Sequence, residues 1–155
     1  MDFAIRRAAP SEADSLKALA RASKAYWGYP QSYMREWSYD ARITEGFISN
    51  HDVFCAEVGA SITGFYALSS EDHASRIEHF WVAPAFIGRG VGKALFEHAV
   101  ARACSIGASV LIVTADPKSA AFYERMGARR VGEVHDPTLE QSFPELEYPL
   151  DGRAG

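Results

Sequence analysis

The run Gly88-Arg89-Gly90-Val91-Gly92-Lys93 sets three glycines at alternate positions between a strand expected to end near Val82-Ala83-Pro84 and a helix expected to follow. Without Cβ atoms in the way, backbone N–H groups at such a helix start can point outward, and the positive end of the helix dipole favours an anion there. Arg89 and Lys93 add positive charge, so the chemistry within reach is to hold a phosphate. Two better-known phosphate loops do not fit. A P-loop needs Gly-x-x-x-x-Gly-Lys-Ser/Thr, whereas Ile87 stands where the first glycine belongs and Ala94 where the hydroxyl belongs. The dinucleotide fingerprint needs its third glycine at position 93, which is Lys93. A tight strand-to-helix connection would use the same glycines.

Three other stretches carry chemical groups. In Arg76-Ile77-Glu78-His79-Phe80-Trp81-Val82, period-two alternation puts Glu78, Phe80 and Val82 on one face and Ile77, His79 and Trp81 on the other. A carboxylate on an otherwise apolar strand fits a general base, and a salt bridge to Arg76 or Arg42 would explain Glu78 equally well. His79 is expected to be a satisfied structural histidine. Between Tyr26 and Tyr39 six aromatic residues fall within fourteen positions, among them Trp27, Tyr29 and Tyr33. Aromatic faces with polar tips suit an amine through cation–π contacts, or a planar group by stacking; core packing or a homodimer interface is the alternative use. The third stretch is Asp116-Pro117-Lys118-Ser119-Ala120-Ala121-Phe122-Tyr123-Glu124-Arg125-Met126-Gly127-Ala128. The five histidines show no ligand spacing with one another or with Cys55 and Cys104, so no metal site is expected and both thiols read as structural.

The elements that must position these groups follow from periodicity. Phe3 to Arg7 reads as a strand, and Pro10-Ser11-Glu12 with Asp14 reads as a helix start with a hydroxyl cap. Leu16, Leu19, Ala20 and Ser23 share one face of that helix, Gly28 and Pro30 interrupt it, and Tyr33 to Ile48 gives one or two further helical pieces. Asp52–Val58, Ser61–Ser69 and Ser75–Val82 read as strands, the first two joined at Gly59-Ala60. Val91, Leu95, Phe96, Ala99, Val100 and Ala103 form the apolar face of an amphipathic helix closed by Gly107. Val110 to Val113 reads as a strand buried on both faces, Ser119 to Met126 as a short helix, and Arg130–Val134 and Glu145–Leu150 as closing strands around a long mobile loop, 135–144.

The expected fold class is therefore α/β in the α+β sense, helices packed on a mixed sheet, and residues 1–155 are expected to form a single domain. Sixteen Lys and Arg against 20 Asp and Glu give a net charge of −4, so nucleic acid and anionic membranes are not expected partners. The chain carries no run of the roughly 20 apolar residues that cross a bilayer and no secretory signal pattern, and a cytoplasmic location is expected.

The glycine run and the Asp116–Ala128 stretch together resemble the GNAT superfamily of acyl-CoA-dependent N-acyltransferases, whose cofactor loop has the form Gln/Arg-x-x-Gly-x-Gly/Ala. The family's later helix carries Asn-x-x-Ala-x-x-(apolar)-Tyr-x-x-x-Gly-Phe. Here the first motif spans Ile87 to Gly92 and the second Asp116 to Ala128, with Ile87, Asp116, Ser119 and Ala128 departing from the pattern. The resemblance implies a mostly antiparallel central sheet with helices on both faces, acetyl-CoA as cofactor, and a small-molecule or peptide primary amine that attacks the thioester directly in a ternary complex. It implies Tyr123 as general acid and Glu78 as general base. It also implies cofactor contacts from Phe80, Trp81, Val82, Gly88, Arg89, Gly90, Val91, Gly92, Lys93, Asp116, Phe122 and Tyr123, with Val82 donating its backbone N–H to the carbonyl oxygen. Because Ile87 cannot touch a phosphate, backbone amides with Arg89 or Lys93 are expected to carry the grip. The segment holding Trp27, Tyr29 and Tyr33 would form the acceptor wall. A non-catalytic acyl-CoA-binding or sensor module on the same fold is the alternative.

Overall fold

The computed structural model describes residues 3–150, so Met1, Asp2 and 151–155 of the expected single domain lie outside the described residues. Strand β1 (Ala4–Arg7) leads through a 3-10 turn at Pro10–Glu12 into α1 (Ala13–Tyr26). The hydroxyl cap expected there does not form. Glu12 does that work instead, accepting the Ala9 N–H at 2.8 Å and two bonds from the Arg6 guanidinium at 3.0 and 2.7 Å, which ties β1 to the helix start. Beyond α1 come α2 (Gln31–Glu36), a 3-10 turn at Tyr39–Arg42 and α3 (Glu45–Asn50), which Thr44 caps by accepting the Phe47 N–H at 3.0 Å. The region is thus broken into three short helical pieces rather than the one or two expected. Arg21 supplies the reason: it donates to the carbonyls of Met34 and Trp37, at 3.1 and 2.6 Å, which takes them out of a continuing helical ladder.

The remaining elements are β2 (Asp52–Val58), β3 (Ser61–Glu71), β4 (Ala74–Val82), α4 (Val91–Ser105), β5 (Val110–Thr114), α5 (Ala120–Arg125), β6 (Arg129–Asp136) and β7 (Gln141–Pro149). The strands form one seven-stranded, mostly antiparallel sheet in the order β1-β2-β3-β4-β5-β7-β6. Parallel pairing joins β4 to β5, from Ala74 opposite Val110 to Ile77 opposite Val113.

β5 is not buried on both faces: Leu111 and Val113 are buried, whereas Val110, Ile112 and Thr114 are half-buried. Charged neighbours explain the open face, since Ile112 lies between Arg76 and Glu147, and Arg76 reaches Glu145 at 3.5 Å and Thr114 Oγ1 at 3.1 Å. The long loop expected over 135–144 is mostly strand, with Val134, His135 and Asp136 pairing with Phe143, Ser142 and Gln141. Asp136 Oδ1 accepts the N–H groups of Thr138 and Leu139 at 2.8 and 3.2 Å and closes a tight turn that shortens the loop to Pro137–Glu140.

The described chain divides into two compact units, one of residues 3–67 with 79–95, the other of 68–78 with 96–150. The core of the first includes Leu16, Ala20, Ile43, Val53, Phe65, Tyr66, Val91 and Leu95; that of the second includes Leu68, Ile77, Phe96, Ala99, Leu111, Val113 and Leu146. In the first unit Gly64 of β3 lets α4 approach the sheet. A Cβ there would stand 2.9 Å from Leu95 Cδ1, 2.9 Å from the Trp81 carbonyl oxygen and 3.2 Å from Val91 Cγ1. Burial moves the Cys55 thiol up to about 11, as suits a packed, unreactive side chain. Among the described residues no helix is long and apolar enough to cross a membrane.

Candidate functional site

The glycine loop is set by its backbone. Gly88 and Gly90 take φ of +81° and +87°, a region L side chains rarely enter, and a Cβ added at either would meet nothing within 4 Å. The loop is therefore open, and Gly88, Arg89 and Gly90 are exposed. The first i to i−4 bond of α4 runs from Ala94 N–H to Gly90 O at 3.1 Å, so the amides of Val91, Gly92 and Lys93 precede the helical ladder at its positive end. Val91 meanwhile buries its side chain and anchors the loop. Lys93 is exposed, and the Arg89 guanidinium lies 5.9 Å from the Phe86 ring centroid. An open cradle with amides directed from a helix start fits a pyrophosphate, with or without the two basic side chains. The Gly64 approach brings this first turn and the end of β4 to one place, because Val91, Leu95 and the Trp81 carbonyl converge on it.

Burial along β4 follows the expected alternation, with Ser75, Ile77 and His79 buried and Arg76, Glu78 and Phe80 half-buried. The Ala83 N–H bonds the Thr63 carbonyl of β3 at 2.8 Å. Successive N–H groups of a strand point to opposite edges, so the Val82 N–H points away from β3. His79 is only half satisfied. Trp81 Nε1–H donates to its Nδ1 at 3.0 Å, so the ring proton sits on Nε2, which is buried with no hydrogen-bond partner. Packed against Tyr39, Phe47 and Phe65, the imidazole is held neutral: burial, then Arg42, pull its pKa down to about 4.

In the second unit Glu78 is half-buried and accepts a hydrogen bond from Ser69 Oγ at 2.6 Å, a partner the sequence did not single out. Arg76, one of the ion-pair partners expected for Glu78, is engaged by Glu145 and Thr114. Asp116 starts the turn into α5: its Oδ1 accepts the Lys118 N–H at 2.8 Å and its carbonyl accepts those of Ser119 and Ala120. Tyr123 is buried on α5, its ring 5.2 Å from Phe122 and 6.1 Å from Phe96. Burial, reinforced by the Asp116 carboxylate, pushes the phenol well above its ordinary range, so it stays protonated. α5 ends at Gly127, whose φ is +109°.

The aromatic segment is closed on itself more than expected. Tyr29 and Tyr33 stack at 4.3 Å, and the cation over them is the chain's own Lys24, with Nζ 4.3 and 5.2 Å from their centroids and 5.8 Å from that of Trp37. Trp27 pairs edge-on with Tyr26 at 5.4 Å and is 38% exposed. Arg21 grips Asp40 at 3.0 and 3.3 Å besides the two carbonyls described above. Arg21 and Lys24 were missed in the sequence. The signal was there: Lys24 continues the Leu16–Ala20 stripe at i+4, a basic residue on the buried face of a helix beside an aromatic run.

The sequence profile of the acetyltransferase (GNAT) domain matches residues 49–127, a little over half of the chain. The chain belongs to the GNAT acetyltransferase family. The matched stretch of this GNAT chain runs from the end of α3 through β2, β3, β4, the glycine loop, α4, β5 and α5. A curated relative, the 5-NmdU N-acetyltransferase of Pseudomonas phage PaMx11, is 28% identical over 131 residues, covering 83% of this chain and 89% of the relative. Among solved structures, the PaiA N-acetyltransferase of Thermoplasma acidophilum in complex with coenzyme A superposes with a TM-score of 0.81 at 16% identity, over 96% of this chain and 99% of that one. A GCN5-related N-acetyltransferase of Rhodopseudomonas palustris gives 0.81 at 22% identity over 97% of each chain. YncA of Salmonella typhimurium, a putative acetyltransferase solved with acetyl-CoA, gives 0.74 at 16% identity, over 97% and 95%. At these identities the solved structures establish the GNAT fold.

Proposed function

We propose that this GNAT chain acts as one N-acetyltransferase domain that transfers an acetyl group from acetyl-CoA to a primary amine by direct attack within a ternary complex. The observation that carries the reading is the open loop at Gly88 and Gly90, with the amides of Val91, Gly92 and Lys93 ahead of the first helical bond of α4. These groups, with Arg89 and Lys93, would hold the pyrophosphate, and Phe80, Trp81, Val82, Asp116, Phe122 and Tyr123 would line the rest of the cofactor. Acetyl-CoA supplies an acyl group activated as a thioester.

The chain's own groups do the proton work. Glu78, held by Ser69 Oγ, takes the proton from the incoming ammonium. The Val82 N–H, directed away from β3, donates to the acyl carbonyl oxygen. Tyr123 holds its proton at neutral pH because burial raises its pKa, and it gives that proton to the departing sulfur. Trp27, Tyr29 and Tyr33 belong to the acceptor wall. Acetyl-CoA is expected to raise the melting temperature. Gly90→Glu, which puts a side chain and a negative charge on a φ of +87°, should abolish that rise, and Tyr123→Phe should keep it while slowing turnover by about 100-fold. Absence of any shift with acetyl-CoA in the unmodified protein would overturn the cofactor assignment.

A further inference from the structure

We propose that Lys24 is a specificity-determining residue that turns the acceptor wall against amines carrying a second positive charge, in favour of amines with a neutral or anionic body; this rests on the reading of the Tyr26–Tyr39 segment as that wall. Lys24 is 2% exposed, and its ammonium covers the Tyr29, Tyr33 and Trp37 faces that a substrate cation would otherwise use. Of the two carboxylates in the segment, Asp40 is buried and already bound by Arg21 Nε and Nη2, and Glu36 is exposed on α2. Residues 21–42 hold four basic side chains (Arg21, Lys24, Arg35, Arg42) against two acidic ones (Glu36, Asp40), in a chain whose net charge is −4. Arg42 stands 4.8 Å over the Tyr39 ring.

The cage also adjoins the strand end assigned to the acyl carbonyl. Trp37, its inner wall, packs edge-on against Trp81 at 5.6 Å, and Trp81 precedes Val82. A second ammonium brought within about 8 Å of a buried like charge, at an effective dielectric near 20, loses on the order of tenfold in binding or more.

The test is kcat/KM, followed by thiol release from acetyl-CoA, for matched acceptor pairs: an alkyl monoamine ending in methyl, hydroxyl or carboxylate against the diamine of the same length. The unmodified protein should prefer the monoamine by about tenfold or more. Lys24→Met, which fills the cage without charge, should bring the ratio close to unity, and Lys24→Arg should keep it. A role confined to packing would depress both acceptors alike and leave the ratio in place, and that outcome in a Lys24→Met protein still stabilised by acetyl-CoA overturns the proposal. So does a diamine used as well as its monoamine by the unmodified protein, a result independent of whether any variant folds. Acetyl-CoA binding without thiol release to any amine would count against the transferase reading itself, and the proposal would fall with it.

Discussion

The glycine loop and the aromatic segment lie in the same unit, and both read in the sequence as binding surfaces, yet they are built in different ways. At Gly88 and Gly90 the surface is backbone: two positive φ angles, open space around each Cα, and helix-start amides. Between Tyr29 and Asp40 it is side chain: stacked rings, a buried ammonium beneath them and an arginine clamped on two carbonyls and a carboxylate. A backbone surface announces itself in the sequence, because glycine spacing determines where the chain can turn. A side-chain surface does not, because which cation covers which ring depends on contacts between residues on separate elements.

Acid should separate the two surfaces most strongly. His79 packs beneath the aromatic segment, against Tyr39 and Phe47, with a folded pKa of about 4. An unfolded histidine titrates near 6.5, so the unfolded state takes up the proton first. The stability contributed by neutral His79 is thus complete above about pH 6.5 and is lost as pH falls toward 4, at about 1.4 kcal/mol per pH unit and about 3 kcal/mol in all. Urea denaturation at pH 7 and pH 4.5 should show a smaller acid loss for His79→Gln, which removes the titrating ring, than for the unmodified protein. Equal losses would place the acid sensitivity elsewhere. The loop side has its own, smaller lever. Gly64→Ala forces a Cβ to 2.9 Å from both Leu95 Cδ1 and the Trp81 carbonyl oxygen, and should cost about 2 kcal/mol in urea denaturation while weakening the acetyl-CoA thermal shift. A neutral Gly64→Ala would mean that the close approach of α4 does not hold the loop in place.

How much was legible follows the same division. The alternation on β4, the amphipathic face of α4, the hairpin at Gly59 and the glycines closing α4 and α5 were all visible, since each depends on local periodicity or on one residue's backbone freedom. Two of the mis-read places depend on partners distant in the chain, and the third on a local side-chain turn at Asp136. Arg21 breaks a helix thirteen residues away, Asp136 reorganises an expected loop into a turn, and charged neighbours on β4 and β7 open one face of β5. Within the candidate site, Tyr123 and the loop could be placed by motif. Ser69 behind Glu78 could not, as β3 carries no motif, and Lys24 under the tyrosines was marked only by its place on the buried stripe of α1.

Free-thiol release from acetyl-CoA across a broad panel of primary amines measures directly whether this GNAT chain uses its cofactor for transfer to an amine. At least one amine should accelerate release well above hydrolysis in the unmodified protein, and Tyr123→Phe should lower the accelerated rate about 100-fold. Acetyl-CoA that stabilises the protein while no amine accelerates thiol release would contradict such transfer, and would mark the chain as an acyl-CoA-binding or sensor module on the same fold.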